Sequence, residues 1–289
     1  MKYRRSTVIL LVLFPAMLVA GVISWCFFPP ESGRSFRFSL VRPSVLDDTV
    51  RIILRNQETP FMVDLRRTDE GWDLAVDGNH RFRADQRKIG LLFDGLTRAR
   101  KGTRTPLTSS VKAEKELDRA TEIALVGRNG QNLATIRFGL PSADGTSRQL
   151  CFTGSAFLWH AANDFGELLD MRASYWADLR IFRSLFGDAE IQRTVYRKGG
   201  FSHELLTGTV PGTERLSHEL ENLVCLDVTN IDAVPDEILT IETGDTREWS
   251  IRFARLTDDY ILMEIGETGS SYIISSSAKE RIDRSIGLK

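Results

Sequence analysis

Short runs in which apolar and polar residues alternate make up much of the chain, and a period of two residues is typical of β-strands with one buried face. Such runs predict a strand near residues 50–54, one hairpin formed by residues 61–65 and 72–76, and another formed by residues 192–197 and 202–206. Turn-forming residues separate the two members of each hairpin. The pattern therefore indicates sheets in which neighbouring strands of the sequence pair in antiparallel fashion.

Two other stretches repeat apolar residues every three or four positions, which predicts helices that bury one face. The first covers residues 84–96 and begins at Asp85, a good N-cap residue. The second begins at Glu214, directly after a Pro-Gly-Thr entry. Their buried positions are predicted to be Ile89, Leu92, Phe93 and Leu96 in the first helix, and Leu216, Leu220, Leu223 and Val224 in the second.

The second half of the chain repeats a pattern of the first half. Residues 121–169 recur near the C-terminus: residues 135–139 match a segment 115 positions later, and residues 150–154 match a segment 112 positions later. Each copy reads as four short strands followed by a helix start. At both helix starts a capping residue, Asp164 or Ser277, lies three positions before a glutamate that can bond back to it.

These elements predict an α+β fold: an N-terminal transmembrane helix followed by two tandem copies of an antiparallel sheet with packed helices, each in the order β-β-α-β-β-β-β-α. We expect residues 1–30 to form a cytoplasmic stub and membrane anchor, residues 31–187 the first α+β repeat with its lead-in strand, and residues 188–289 the second repeat. The aromatic-rich residues 175–186 are predicted to connect the repeats through a helical or turn segment.

An uncharged apolar stretch of 23 residues, 6–28, accounts for the predicted anchor. As a helix it is about 35 Å long. This length crosses a hydrocarbon core of about 30 Å if the helix is slightly tilted. Lys2, Arg4 and Arg5 precede it, and Trp25 lies at its far end. The positive-inside rule therefore predicts a single-pass protein of a bacterial inner membrane, with its N-terminus in the cytoplasm and its repeats in the periplasm or outside.

Composition excludes several classes of protein. With 42 % hydrophobic and 27 % charged residues among 289, the chain is typical of folded rather than disordered proteins. Its formal net charge of −1 gives no basic footprint for nucleic acid. Three cysteines cannot form a disulfide framework, and Cys151 and Cys225 are predicted to be buried thiols. Cleavage of the apolar stretch as a signal peptide, or lipidation at Cys26, stays open as an alternative to the retained anchor.

Several strings of residues resemble a known bacterial family. Trp72, residues 82–85, Lys88 and the leucines up to Leu96 resemble the helix entry of the bacterial domain-of-unknown-function 4340 family. Further resemblance lies in three later segments: residues 136–139, 157–160 and 175–182. Members of that family are membrane-anchored proteins encoded beside gliding-motility-type ABC transporter components. The resemblance therefore implies an accessory envelope protein with an ABC permease and ATPase as partners, and it brings no active site with it.

The sequence motifs offer no catalytic constellation. Four histidines are scattered along the chain, and a zinc helix at His218 lacks its second histidine because Asn222 stands at that position. The sequence contains no phosphate-binding loop of the G-x4-G-K-[ST] type and no nucleophile elbow. We therefore predict a protein without enzymatic activity, metal or cofactor.

Four aromatic residues, Tyr175, Trp176, Phe182 and Phe186, are the candidate partner surface, with packing between the repeats as the alternative interpretation. Our first functional hypothesis is a non-enzymatic periplasmic accessory or scaffold protein of an ABC-type export or gliding-type transport complex, bound to the lipid bilayer through its N-terminal helix. The second is a ligand-binding module that uses a cleft between the repeats. The third is an envelope hydrolase whose site only folding would assemble.

Overall fold

The structure is a computed structural model. It describes residues 39–56, 61–76, 80–99, 101–114, 117, 119–143, 145–161, 165–187, 189–206, 212–266 and 268–288. The predicted anchor, with Lys2, Arg4, Arg5, Trp25 and Cys26, lies outside these residues, as does the predicted helix cap Asp164. Within the described part of the chain, no helix is both long and apolar enough to cross a membrane.

The first unit contains a nine-stranded antiparallel sheet. Its strands are β1 (Thr49–Arg55), β2 (Met62–Thr68), β3 (Gly71–Val76), β4 (His80–Arg83), β5 (Lys101–Pro106), β6 (Thr121–Gly127), β7 (Asn132–Pro141), β8 (Arg148–Phe152) and β9 (Phe157–Ala161). They lie side by side in the order β4-β3-β2-β1-β6-β7-β8-β9-β5. The predicted first strand and the hairpin of β2 and β3 are confirmed.

Short helices accompany this sheet. They are α1 (Pro43–Asp47), α2 (Gln86–Arg98), α3 (Ser109–Glu114), a 3-10 turn (Gly166–Leu169), α4 (Ala173–Trp176) and α5 (Ile181–Phe186). The longest, α2, begins as predicted, because the Asp85 side chain accepts hydrogen bonds from the backbone amides of Arg87 and Lys88. Its predicted apolar positions Ile89 and Leu92 are buried. Helices α4 and α5 form the predicted connection to the second unit.

The second unit contains a seven-stranded antiparallel sheet. Its elements are β10 (Ile191–Lys198), β11 (Phe201–Leu206), α6 (Gly212–Glu221), β12 (Asp227–Thr229), β13 (Glu237–Thr243), β14 (Glu248–Arg255), β15 (Tyr260–Ile265), β16 (Ser270–Ser275) and α7 (Ser276–Ser285). The strand order is β11-β10-β13-β14-β15-β16-β12. Two sheets of antiparallel strands with packed helices make this an α+β fold.

The two sheets share a common strand order. Each has a four-stranded meander, β6-β7-β8-β9 in the first unit and β13-β14-β15-β16 in the second. On one side of the meander lies a strand of the preceding hairpin, β1 or β10. On the other side lies a strand that follows the central helix, β5 or β12. The counterpart of β10 is therefore β1, not β2 as the sequence predicted. Strands β3 and β4 belong to the first unit and have no counterpart in the second. Each unit also has one strand after its central helix, β5 or β12, that the predicted order lacked.

The strand registers correct one match between the copies. Phe138 pairs with Leu150 in the first meander as Phe253 pairs with Met263 in the second. Leu150 thus corresponds to Met263, at an offset of 113, and the predicted match with Leu262 is wrong by one position. A shift of one residue exchanges the two faces of a strand, and both Leu150 and Met263 do lie in the core.

Three predicted helix features differ in the structure. Ser275 rather than Ser277 caps α7, because the Ser275 hydroxyl accepts a hydrogen bond from a backbone amide of the first turn. The stretch around Glu167 forms a 3-10 turn instead of a capped α-helix. Val224, predicted on the buried face of α6, lies beyond the end of that helix and is exposed.

One hydrophobic core runs through both units. At the seam the ring of Phe82 in β4 packs edge-on against the ring of Tyr272 in β16, with centroids 5.5 Å apart. Beside it, the Ser270 hydroxyl donates a hydrogen bond of 2.8 Å to the backbone carbonyl of Arg81. The edge strand of the first sheet is therefore joined to the second unit by both apolar and polar contacts.

Candidate interaction surface

The four aromatic residues predicted as a partner surface lie in the connection between the units. Trp176, Phe182 and Phe186 are buried, and Tyr175 is half-buried. The ring of Phe186 contacts that of Trp249 in β14, with centroids 6.0 Å apart. Because three of the four side chains fill the core, they fit the packing interpretation and not an exposed partner surface.

The two described cysteines behave as small hydrophobic residues. Cys151 and Cys225 are both buried, as predicted, and no disulfide joins them. Burial raises the pKa of the Cys225 thiol to about 12, with a further contribution from the charge of Asp178. Among the residues that the structure describes, no group of three or more His, Cys, Asp or Glu side chains is placed to hold a metal ion.

Three clefts lie on the outside of single units. One of about 270 Å³ adjoins Arg137 and Cys151 in the first unit. One of about 520 Å³ lies between α6 and α7, and one of about 620 Å³ lies between β10, β11 and the C-terminal residues of the second unit. None of these three clefts is lined by both units, so none of them is the predicted cleft between the repeats.

The first sheet carries a charged surface on the side that faces away from its core. Along β1, Ile52 and Leu54 point into the core, so Arg51, Ile53 and Arg55 lie on the opposite face. The strand registers extend that face across β4-β3-β2-β1-β6-β7. We call this surface the arginine face; its charged residues are Arg51, Arg55, Arg66, Arg81, Arg83 and Arg137, with Asp64, Asp73 and Glu122.

Two arginines hold Asp64 on the arginine face. Arg51 donates from Nε to Oδ1 at 2.7 Å and from Nη2 to Oδ2 at 3.0 Å, and Arg66 donates from Nη2 to Oδ2 at 2.7 Å. Burial alone would raise the pKa of Asp64, but the hydrogen bonds and charges of the two arginines outweigh it and hold the pKa below its ordinary value. The ionised carboxylate therefore fixes both guanidinium groups in place.

Glu122 is held in the same way further along the strands. Arg55 donates from Nε to Oε1 at 2.7 Å, and Arg137 donates from Nε to Oε2 at 2.9 Å. The Glu122 side chain is 7 % exposed, whereas that of Arg55 is 62 % exposed. The carboxylate thus lies beneath the surface and orients guanidinium groups that reach the solvent.

Asp73, Arg81 and Arg83 extend the arginine face over β3 and β4. Burial raises the pKa of Asp73, and the charges of Arg81 and Arg83 act against that rise. With six arginines against three carboxylates, the arginine face is positively charged, although the chain as a whole has a formal charge of −1. Such a surface attracts anionic groups.

The corresponding face of the second sheet has the opposite sign. The registers place three arginines and five carboxylates on it: Arg193, Arg197 and Arg252, with Glu204, Asp227, Glu242, Glu248 and Glu264. Arg252 occupies the position of Arg137 and donates from Nη1 to Glu264 at 3.2 Å. The arginine face is therefore a property of the first unit and not of the shared topology.

A second charge cluster joins α7 to the second sheet. The buried Lys279 donates from Nζ to Asp283 Oδ1 at 2.6 Å and also to Glu237, and its Nζ lies 4.7 Å from the centroid of Phe253. Glu237 accepts a further bond of 2.6 Å from Lys198. Burial would raise the pKa of Glu237, but the two lysines hold it below its ordinary value. Because opposite charges surround each member, this cluster fixes the helix on the sheet.

The arginine face has a partial signal in the sequence, which does not suffice to predict it. Charged residues alternate with apolar ones in three of its strands, as in Arg81-Phe82-Arg83 of β4. Arg55 and Glu122 are 67 positions apart, however, so only the strand order brings them together. In comparisons with known proteins, no family model, no curated protein and no solved structure matches the chain.

Proposed function

We propose that this chain is a non-enzymatic, single-pass membrane protein whose two sheet units are tandem copies of one fold and act outside the cytoplasm as a binding scaffold. Its partner in this proposal is an ABC-type export or gliding-type transport complex. The anchor rests on the uncharged residues 6–28 and the cations before them. The transporter rests on the resemblance to the domain-of-unknown-function 4340 family.

The arginine face is the observation that carries the binding role. Asp64 and Glu122 each hold two arginine side chains in place before a partner arrives. Side chains that are already ordered lose less conformational entropy when they bind, so a preorganised surface binds more tightly than a flexible one. The continuous core of the two units supports the same role, because it presents this face on one body.

The alternative function, a ligand-binding module with its site between the units, has weaker support. Phe82 and Tyr272 are in contact at the seam, and Phe186 and Trp249 are in contact near the connection. These rings occupy space that a ligand between the units would need.

Photo-crosslinking of the tagged full-length protein in membranes tests the proposal. A photoreactive residue replaces Ala124 on the arginine face, and, as a matched control, Thr240 at the same strand position of the second sheet. We expect mass spectrometry to recover an ABC permease or ATPase with Ala124 and less of it with Thr240. Recovery of no transporter component from either position would contradict the proposal. A version whose residues 6–28 are replaced by an unrelated transmembrane helix shows whether capture needs more than membrane attachment.

A further inference from the structure

One row of side chains crosses the arginine face at right angles to the strands. From β2 to β8, the registers place Met62, Arg55, Glu122, Arg137 and Cys151 side by side. Neighbouring strands lie about 4.8 Å apart, so the row is about 19 Å long. An extended polypeptide of about six residues has that length.

Short side chains lie beside this row. Ile53, Ala124 and Thr135 are the next residues on the same face of β1, β6 and β7. Beyond Ile53 stands Arg51, and positions four residues apart on a strand are separated by about 13 Å. On β1, Arg51 and Arg55 therefore border Ile53, and Ala124 and Thr135 continue this line of shorter side chains over β6 and β7.

The two ends of the row differ from its charged middle. Met62 is 51 % exposed at one end. At the other end lies the cleft of about 270 Å³, whose lining combines Leu107 and Leu117 with the cations Lys112 and Arg137. A segment that follows the row would meet the Met62 side chain, then guanidinium groups, then a cleft of mixed lining in which leucines lie beside two cations.

We propose that the arginine face binds an extended acidic segment of a partner protein, with carboxylates on Arg55 and Arg137 and an apolar residue in the cleft. This inference rests on the proposed binding function and names the chemistry of its partner. Asp64 and Glu122 show the fit, because each is a carboxylate whose two oxygens are engaged by two guanidinium groups of this face. A membrane surface fits less well, since a planar array of headgroups does not enter a cleft at the end of a row.

Fluorescence anisotropy with the full-length protein in an uncharged detergent tests the proposal. The probe is a fluorescein-labelled peptide of about six residues, with glutamates between two terminal leucines. We expect Arg55→Gln and Arg137→Gln each to raise the dissociation constant about tenfold, the effect of losing one charge-assisted contact. Each variant leaves Glu122 with its other arginine, so the sheet is retained.

The matched control is Arg252→Gln, which removes an arginine and its ion pair at the same strand position of the second sheet. We expect it to leave the dissociation constant unchanged, and we expect a peptide with lysine in place of glutamate not to bind. Equal binding by the Arg55→Gln and Arg137→Gln variants, or by the lysine peptide, would overturn the proposal. So would vesicles containing phosphatidylglycerol that bind in an Arg55-dependent way while the acidic peptide does not, because the ligand would then be a lipid headgroup.

This test is independent of the capture of a transporter. If the Arg55→Gln and Arg137→Gln variants still capture the ABC components, the scaffold function stands and the assignment of its surface fails. If the acidic peptide binds as expected and no transporter component is captured, the surface stands and the proposed partner fails.

Discussion

At the scale of single residues, the two units differ at positions that their registers make equivalent. Thr194 pairs with Ile241 and Leu205 in the second unit, as Ile52 pairs with Leu125 and Leu65 in the first. Both Thr194 and Ile52 are buried. The Thr194 hydroxyl has no hydrogen-bond partner among the described residues. A buried hydroxyl without a partner lowers stability.

We expect Thr194→Val to raise the free energy of unfolding by about 1 kcal/mol, because valine keeps the shape of threonine and removes the hydroxyl. The measurement is urea unfolding of the full-length protein in mild detergent. The reciprocal control, Ile52→Thr, places a hydroxyl at the equivalent apolar position and should lower the free energy by about 2 kcal/mol. A loss of stability in Thr194→Val would mean that the hydroxyl is satisfied.

Asp64 predicts a dependence of stability on pH. Its folded-state pKa lies below the ordinary value of 3.8, so the stability it contributes is complete above that value and is lost as the pH falls through the lower, folded pKa. We expect Asp64→Asn to lower the free energy of unfolding at neutral pH by about 1 to 2 kcal/mol, since Arg51 and Arg66 are partly screened by solvent. Below about pH 4 the difference from the unaltered protein should shrink. Asp69→Asn, at an exposed turn, is the control, and an equal loss at every pH would contradict the assignment.

At the scale of secondary-structure elements, the local sequence pattern predicted the strands and helices whose formation depends on neighbouring residues in the chain. Alternation predicted β2 and β3, and Asp85 with its helical spacing predicted α2. Strands β5 and β12 were not predicted, because β5 has the composition of a basic loop and β12 has only three residues. Each is a strand through its pairing with the edge of a meander, β9 or β16. Such pairing is a tertiary effect that no local window contains.

Lys279 gives a prediction for the attachment of α7. We expect Lys279→Met to lower the free energy of unfolding by about 3 kcal/mol, because Glu237 loses a buried partner. Arg281→Met on the same helix is the matched control and should cost at most about 1 kcal/mol, since Arg281 pairs with Glu219 at the surface. Both are measured by urea unfolding. The double variant Lys279→Met with Glu237→Leu should regain most of the loss, and a failure to regain it would show that the charge of Glu237 is not the cause.

At the scale of the whole molecule, the sequence predicted two units but not how they meet or what they expose. The aromatic residues of the connection looked like a partner surface because their burial depends on the second sheet, which contacts Phe186 through Trp249. The arginine face could not be predicted from the sequence, because its charged residues come together only in the folded sheet. Its charges are scattered over six strands and become one surface only through the order β4-β3-β2-β1-β6-β7. In both cases the decisive information is the long-range arrangement of strands.

The shared core predicts that the two units unfold together. We expect one urea transition in the full-length protein, with circular dichroism and tryptophan fluorescence coinciding. Phe82→Ala removes the ring that packs on Tyr272 and should lower the free energy of unfolding by about 3 to 4 kcal/mol while keeping a single transition. Hydrogen exchange should then rise in both β7 and β14, because a global opening exposes both meanders. Phe201→Ala, which truncates an exposed ring of β11, is the control and should change little. Two separate transitions, or faster exchange confined to the first unit, would show that the chain divides into independent domains near residue 187.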